Sequence, residues 1–239
     1  MDKQNLPKIV VLTGAGISAE SGIRTFRDSG GLWEEHDIMD VATPEGWQKN
    51  PALVTKFYNA RRSQLLSVEP NPAHLALTRL QQFFNVKIVT QNVDDLHERA
   101  GNKNILHLHG ELIKARSEKH TELVYEIGYR EIALGETCEK GFQLRPHIVW
   151  FGEDVPLIVV ASKYVVDADI LIVIGTSLNV YPAAGLLYHA PYGCEKYLVD
   201  PSELQVDNLF RLRHIKTAAG EGVPALVEEL INRYFPHRG

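Results

Sequence analysis

The chain has 239 residues, 44% apolar and 23% charged, with 25 Lys and Arg against 30 Asp and Glu for a formal charge of −5. That balance suits one α/β domain, or a domain with a small insertion, and excludes disorder for the bulk of the chain. A mildly negative charge argues against bulk electrostatic binding of nucleic acid, and no apolar run approaches the roughly 18 residues of a membrane span. Residues 1–5 lack the apolar core of a signal peptide, so a soluble, cytoplasmic protein is expected. Cys138 and Cys194 could form at most one disulfide and cannot build a four-cysteine zinc site.

The first predicted element is an apolar strand over 8–12. Residues 29–70 carry glycines and then a helical pattern over 51–67, with no clear strand. A helix is predicted over 72–84, with Ala73, Leu77, Leu80 and Phe84 on one face, followed by strands over 86–90 and 105–109. The stretch 111–145 is polar, with a possible strand at 122–127. Helices over 156–166 and 182–190 flank a strand over 170–174, and a strand over 196–199 follows. A final amphipathic helix over 223–235 turns Leu226, Val227, Leu230, Ile231 and Tyr234 inward.

Continuous apolar strands suit a sheet covered on both faces, and their alternation with helices implies a parallel order. The expected fold class is therefore α/β, a Rossmann-like doubly wound parallel sheet with a small second module built from two insertions. Residues 1–28, 71–110 and 146–239 would form the main domain, and 29–70 and 111–145 the module.

Thr13-Gly14-Ala15-Gly16-Ile17-Ser18 follows the first strand. Glycines there let the backbone approach a phosphate near free N–H groups, although a plain tight turn explains Gly-Ala-Gly equally well. The ordinary dinucleotide fingerprint is not met, because Gly22 comes six residues after Gly16 rather than three. The longer string GAGISAESGIRTFR (14–27) resembles the signature of the sirtuins, NAD-dependent protein lysine deacylases. Four more blocks agree in order: TQNVDDLH (90–97), HGEL (109–112), VWFGE (149–153) and GTSL (175–178). The resemblance runs from residue 8 to about 235 and is closest to the bacterial class III members.

That resemblance implies a reaction in which the acyl oxygen of a modified lysine attacks the ribose carbon bearing nicotinamide, giving an alkylimidate. A base then activates a ribose hydroxyl to attack the imidate, and water releases free lysine and an O-acyl-ADP-ribose. NAD would be consumed, acylated lysines of proteins would be the partners, and the chain would be a monomer without nucleic-acid or membrane partners. His109 matches the catalytic histidine, an imidazole suited to base work near neutral pH; a structural strand histidine is the bland alternative. His107 could share its face, but a His-x-His metal pair needs a third ligand. His97 reads as structural.

By the same resemblance Asn92 and Asp94 form the nicotinamide pocket, where an amide and a carboxylate can hold the carboxamide, although Asp94 could also cap a helix. Gln91 lies near the nicotinamide ribose. Phe26 would shield the reactive ribose, and Arg27 would neutralise phosphate or orient the cofactor loop. Gly14, Ala15 and Gly16, with Gly175, Thr176 and Ser177 after the 170–174 strand, would hold phosphate and ribose. Asp200 would accept from adenosine ribose hydroxyls and repel a 2′-phosphate, and Ala219 would border the adenine. Residues 149–153, with Val149, Phe151 and Gly152, would flank the substrate peptide and acyl-lysine tunnel, and Asn179 would stand on the opposite side.

Within the 51–67 pattern, Leu53, Phe57 and Leu65 follow a four-residue spacing, and Arg61 occupies the same row with Tyr58 three residues before it. A snorkelling arginine at a helix edge is the bland account. The resemblance identifies Tyr58 and Arg61 with the pair that reads acidic acyl groups in class III members, and Ala42 with the small residue that widens that pocket. Succinyl-lysine fits a guanidinium and a phenol, with acetyl-lysine also accepted. Most sirtuins carry two cysteine pairs between HGEL and VWFGE, whereas here 111–145 holds only Cys138, with Ser117 about where the first cysteine would be. A zinc-free insertion packed through Leu123, Tyr125, Ile127 and Phe142 is therefore expected. Protein ADP-ribosyl transfer and a non-catalytic NAD-sensing module are the competing functions, and the filled catalytic positions disfavour the second.

Overall fold

The computed structural model describes residues 6–24, 32–33 (backbone only), 36–176, 183–203 and 211–236. Its strands are β1 (Lys8–Thr13), β2 (Leu32–Trp33), β3 (His36–Asp37), β4 (Asn85–Thr90), β5 (Ile105–His107), β6 (Gly110–Ser117), β7 (Val124–Glu126), β8 (Leu144–Ile148), β9 (Ile170–Ile174), β10 (Glu195–Val199) and β11 (Leu212–Ile215). Its helices are α1 (Gly16–Ala19), α2 (Ile38–Val41), α3 (Pro44–Lys49), α4 (Pro51–Gln64), α5 (Pro72–Phe83), α6 (Leu96–Arg99), α7 (Ile158–Val166) and α8 (Ala219–Tyr234).

The main sheet has the order β11-β10-β9-β1-β4-β5, and every pairing in it is parallel. Side chains alternate across it with period two. Ile9, Val11, Ile170, Ile172 and Ile174 pack with α5 and α8 on one face; Val10, Leu12, Leu171 and Val173 pack with α7 and the 3₁₀ segment Ala183–His189 on the other. Both faces are buried, which is why these strands read as unbroken apolar runs. After β5 the chain returns to the centre and lays β9 beside β1. The strand order reverses there, and the crevice at the carboxyl ends of β1 and β9 is where such folds bind ligands.

The two long crossovers lie over that end. Helices α2 to α4 bury Val41, Trp47, Val54 and Phe57 against Leu112, Ile148 and Trp150. Strands β7, β6 and β8 form an antiparallel sheet with its own small core of Ala115, Ile127, Ile132, Cys138 and Leu144. Gly110 joins β5 to β6 at φ +82°, and a Cβ there would come within 1.9 Å of the His147 carbonyl. Only glycine allows the chain to turn out of the parallel sheet at this point.

Several elements differ from the sequence expectation. Strand β5 ends at His107, so His109 stands just beyond it. The segment expected as an α-helix over 182–190 is 3₁₀ over Ala183–His189. Strands β6, β8 and β11 were hidden because charged residues interrupt their apolar pattern. Phe142 is 37% exposed and lies against the His120 ring rather than in the insertion core, because the turn after Cys138 carries it outward.

Helix α4 grips the insertion through buried polar groups. The Asn59 amide donates to the Ile132 carbonyl at 2.9 Å, and its Oδ1 accepts from Ile132 N–H at 3.0 Å and from Arg62 Nη1 at 2.7 Å. Arg62 donates to the Leu112 carbonyl at 2.6 Å, and burial lowers its pKa to about 10. Replacing Asn59 with Ala strands a buried guanidinium and a backbone pair at once. The expected cost is about 2–4 kcal/mol, read by denaturant unfolding, with proteolysis opening first near 128–142.

Candidate active site

One cavity of about 520 Å³ runs along the carboxyl edge of the sheet beneath the two crossovers. Its floor is the switch point. Gly14 N–H donates to the Ile174 carbonyl at 3.0 Å and Gly16 N–H to the Gly175 carbonyl at 2.8 Å. A Cβ on Gly16 would meet Gly175 Cα at 2.5 Å, and one on Gly175, at φ +60°, would meet Ile17 N at 2.4 Å. The two turns touch backbone to backbone. Ala15 N–H, on the cavity wall, has no acceptor among the described residues. An open N–H at a glycine-built turn fits a phosphate-bearing ligand.

Every described site residue expected from the sequence lines this cavity: Gly14, Ala15, Gly16, Ala42, Tyr58, Arg61, Gln91, Asn92, Asp94, His109, Val149, Phe151, Gly152, Gly175, Thr176, Asp200 and Ala219. Phe26, Arg27, Ser177 and Asn179 lie outside the described residues. Phe151 is 45% exposed, so it serves the cavity rather than the core.

Strand β4 delivers its polar end to the cavity. His109 Nδ1 lies 3.1 Å from the Gln91 carbonyl. A carbonyl only accepts, so Nδ1 carries the proton and Nε2 is left bare as a base. Burial lowers the His109 pKa, with the Gln91 hydrogen bond opposing. Gln91 Nε2 reaches Thr176 Oγ1 at 3.3 Å and so spans the two glycine turns.

Deeper in, Ser18 Oγ donates to Asp94 Oδ2 at 3.0 Å and accepts from Asn92 Nδ2 at 3.0 Å. Burial raises the Asp94 pKa, while Leu96 N–H and the Ser18 hydroxyl lower it. His107 holds this corner from behind. Its Nδ1 donates to the Asn92 carbonyl at 3.0 Å and its Nε2 to Glu98 at 2.9 Å. Burial disfavours the His107 imidazolium, but Glu98 more than offsets it and the pKa is raised. Both ring nitrogens are engaged, so His107 is not half of a metal pair. His97 is buried 3.1 Å from Thr13 Oγ1, and burial keeps it neutral.

At the other end Asp200 accepts from Ser202 N–H at 2.9 Å, and its carbonyl accepts from His214 Nε2 at 2.9 Å. Glu20 reaches from the end of α1 to Gly220 N–H at 2.6 Å, joining the first turn to helix α8. Ser18 and Glu20 lie within the first motif, and sequence reasoning alone assigns them no role. The signal available was a hydroxyl and a carboxylate within four residues of Gly16.

The positions where sirtuins carry zinc ligands do not fit the metal here. Ser117 Oγ accepts from Cys138 Sγ at 3.4 Å and from His120 N–H at 3.1 Å. The Lys140 ammonium sits 3.2 Å from His120 Nδ1, so a cation already occupies the imidazole's outward side. Among the described residues no group of three or more His, Cys, Asp or Glu could hold a metal ion. Nor is any helix there long and apolar enough to cross a membrane.

The family model described as Sir2 family matches residues 14–182. A Bacteroides thetaiotaomicron protein named NAD-dependent protein deacylase is 52% identical over 231 residues, covering 95% of this chain and 99% of its own. A solved point mutant of a Sir2 homologue in complex with ADP-ribose superposes with a TM-score of 0.88 at 35% identity, over 100% of both chains. A Sir2 variant solved with a deacetylated p53 peptide and 3′-O-acetyl-ADP-ribose gives 0.78 at 28% identity over 95% of each.

Two outcomes are expected. A neutral imidazole is the basic form, and a lowered pKa extends it to more acidic pH; activity is lost only as pH falls through that lowered value. The acid limb of a kcat/KM profile should therefore lie below the ordinary histidine value of about 6.5, and His109→Asn should remove it with a turnover loss of about 10²–10⁴. Treatment with a strong chelator should leave melting temperature and turnover unchanged, and elemental analysis of untreated protein should find zinc well below one per chain.

Proposed function

Because the chain belongs to the Sir2 family and is an NAD-dependent protein deacylase, we propose that it removes succinyl as well as acetyl groups from protein lysines, with nicotinamide and an O-acyl-ADP-ribose as products. The observation that carries the acyl preference is a buried guanidinium and a buried phenol on one wall of the cavity that also contains His109. Tyr58 and Arg61, only 6% exposed, sit three residues apart on α4, and both line it with Ala42. A guanidinium and a phenol on the wall of an otherwise apolar tunnel are suited to an acyl group that is itself charged. An acyl group ending in a carboxylate matches the guanidinium fork bidentately.

Bound NAD supplies the ribose carbon that parts from nicotinamide and accepts the acyl oxygen. The chain's residues do the rest. Asn92 and Asp94, tied through Ser18, orient the carboxamide for departure. Bare Nε2 of His109 takes the proton from a ribose hydroxyl, while its Nδ1–H stays on the Gln91 carbonyl and fixes the tautomer. Ala15 N–H, with Gly14, Gly16, Gly175 and Thr176 around it, receives the phosphates. Asp200 accepts from the adenosine ribose and repels a 2′-phosphate, which favours NAD over NADP. Val149, Phe151 and Gly152 flank the acyl-lysine. The deacetylated peptide and acetyl-ADP-ribose held by the related Sir2 variant support this product assignment.

The test is to incubate the enzyme with NAD and matched succinyl- and acetyl-lysine peptides, identify products by mass spectrometry, and repeat with Arg61→Met. O-succinyl-ADP-ribose is the expected product from the succinyl peptide. Arg61→Met should lower kcat/KM for that peptide by about 1.5–3 kcal/mol, roughly 10–150-fold, and lower it far less for the acetyl peptide. Equal losses on both peptides would make Arg61 structural.

A further inference from the structure

Tyr58 is completely buried, and among the described groups its hydroxyl has one hydrogen-bond partner, the indole Nε1 of Trp150, 3.1 Å away. An indole N–H can only donate, so the Tyr58 oxygen is the acceptor. The phenol's own proton must then point elsewhere. Tyr58, Trp150 and Arg61 all line the same cavity, which gives that proton somewhere to point.

We infer that Trp150 is a positioning residue for acyl-group choice: its indole N–H holds the Tyr58 hydroxyl so that the phenol presents its proton to the acyl carboxylate. This rests on the assignment of Tyr58 and Arg61 to acidic acyl groups.

Trp150 is itself held from several sides and is 2% exposed. Its backbone N–H donates to Glu153 Oε2 at 2.8 Å. The Arg145 guanidinium lies 3.3 Å from its ring centroid, and Trp47 packs at 5.8 Å. Arg145 is in turn clamped to Glu153 at 2.7 and 3.0 Å, and Arg116 adds a second guanidinium to the same carboxylate at 3.0 Å. A carboxylate shared by two arginines thus fixes the backbone and ring of Trp150, and the ring fixes one lone pair of Tyr58. The phenol stays protonated, since burial raises its pKa well above the usual value while Arg61 only partly opposes. A phenylalanine at 150 could fill much of the space but could not orient a hydroxyl.

Trp150→Phe, Tyr58→Phe, the double variant and Arg61→Met would be compared by kcat/KM on succinyl- and acetyl-lysine peptides. Trp150→Phe should lower the succinyl value about 3–10-fold more than the acetyl value, chiefly through KM, because the contact is made in bound substrate and transition state alike. In the Tyr58→Phe background it should have no further selective effect. Equal losses on both substrates, or a selective loss that persists without the tyrosine hydroxyl, would overturn the inference while Arg61→Met still discriminates. If neither Arg61→Met nor Tyr58→Phe discriminates, the acidic-acyl assignment is what fails, and the role of Trp150 fails with it. The indole N–H resonances of the three tryptophans give a readout that does not depend on Trp150→Phe folding. The Trp150 signal should move in Tyr58→Phe, and in the wild type on binding a succinyl peptide but not an acetyl one. An indole signal indifferent to Tyr58→Phe would remove the hydrogen bond from which the inference starts.

Discussion

The contact on which the rest depends is the approach of two bare backbones at the centre of the sheet. Gly14 and Gly16 leave β1, Gly175 leaves β9, and hydrogen bonds of 3.0 and 2.8 Å close the turns on their neighbours. A methyl group on Gly16 or Gly175 would have to occupy space already held by main-chain atoms 2.4–2.5 Å away. Such a contact cannot relax by a rotamer change, because no flexible side chain is involved. With the turns locked together, the strand ends open a crevice. The first turn then starts α1, which carries Ser18 toward Asn92 and Asp94 and Glu20 toward α8.

Around that floor the cavity is polarised by burial rather than by net charge. Burial lowers the His109 pKa and raises that of Asp94, while Glu98 raises that of His107 against the opposing effect of burial. The histidines that touch the β4 end hang on successive carbonyls, His109 on Gln91 and His107 on Asn92. Two imidazoles two residues apart therefore shift in opposite directions. The difference is the second nitrogen: Glu98 receives it in His107, and the cavity does in His109.

The insertion is held together without a cluster of metal-binding side chains among the described residues. Ser117 closes β6 with its Oγ accepting from His120 N–H and from Cys138 Sγ. What remains is a small apolar core, a hydroxyl–thiol contact and the grip of Asn59 and Arg62 from α4. Those polar groups are buried and mutually satisfied in large part, which is the condition under which they stabilise rather than cost.

Strand and helix order were legible in the sequence because both faces of the main sheet are covered. Ile9 to Leu12 and Ile170 to Ile174 must then be apolar at every position, and such runs announce themselves. The positions of His109, Asn92, Asp94, Tyr58 and Arg61 were legible because they lie in contiguous motifs or at helical spacing. What the sequence could not reveal is set by contacts between distant segments. Strands β6, β8 and β11 are interrupted by polar and charged residues, and pairing rather than pattern creates them. That Ser18 bridges Asn92 and Asp94, that Gln91 fixes the His109 tautomer, and that Trp150 engages Tyr58 across 92 positions all depend on which strand ends meet. Local chemistry marked the candidate reacting groups; only the closed sheet decided their pKa shifts and hydrogen-bond directions, because both follow from burial and from partners far away in the chain.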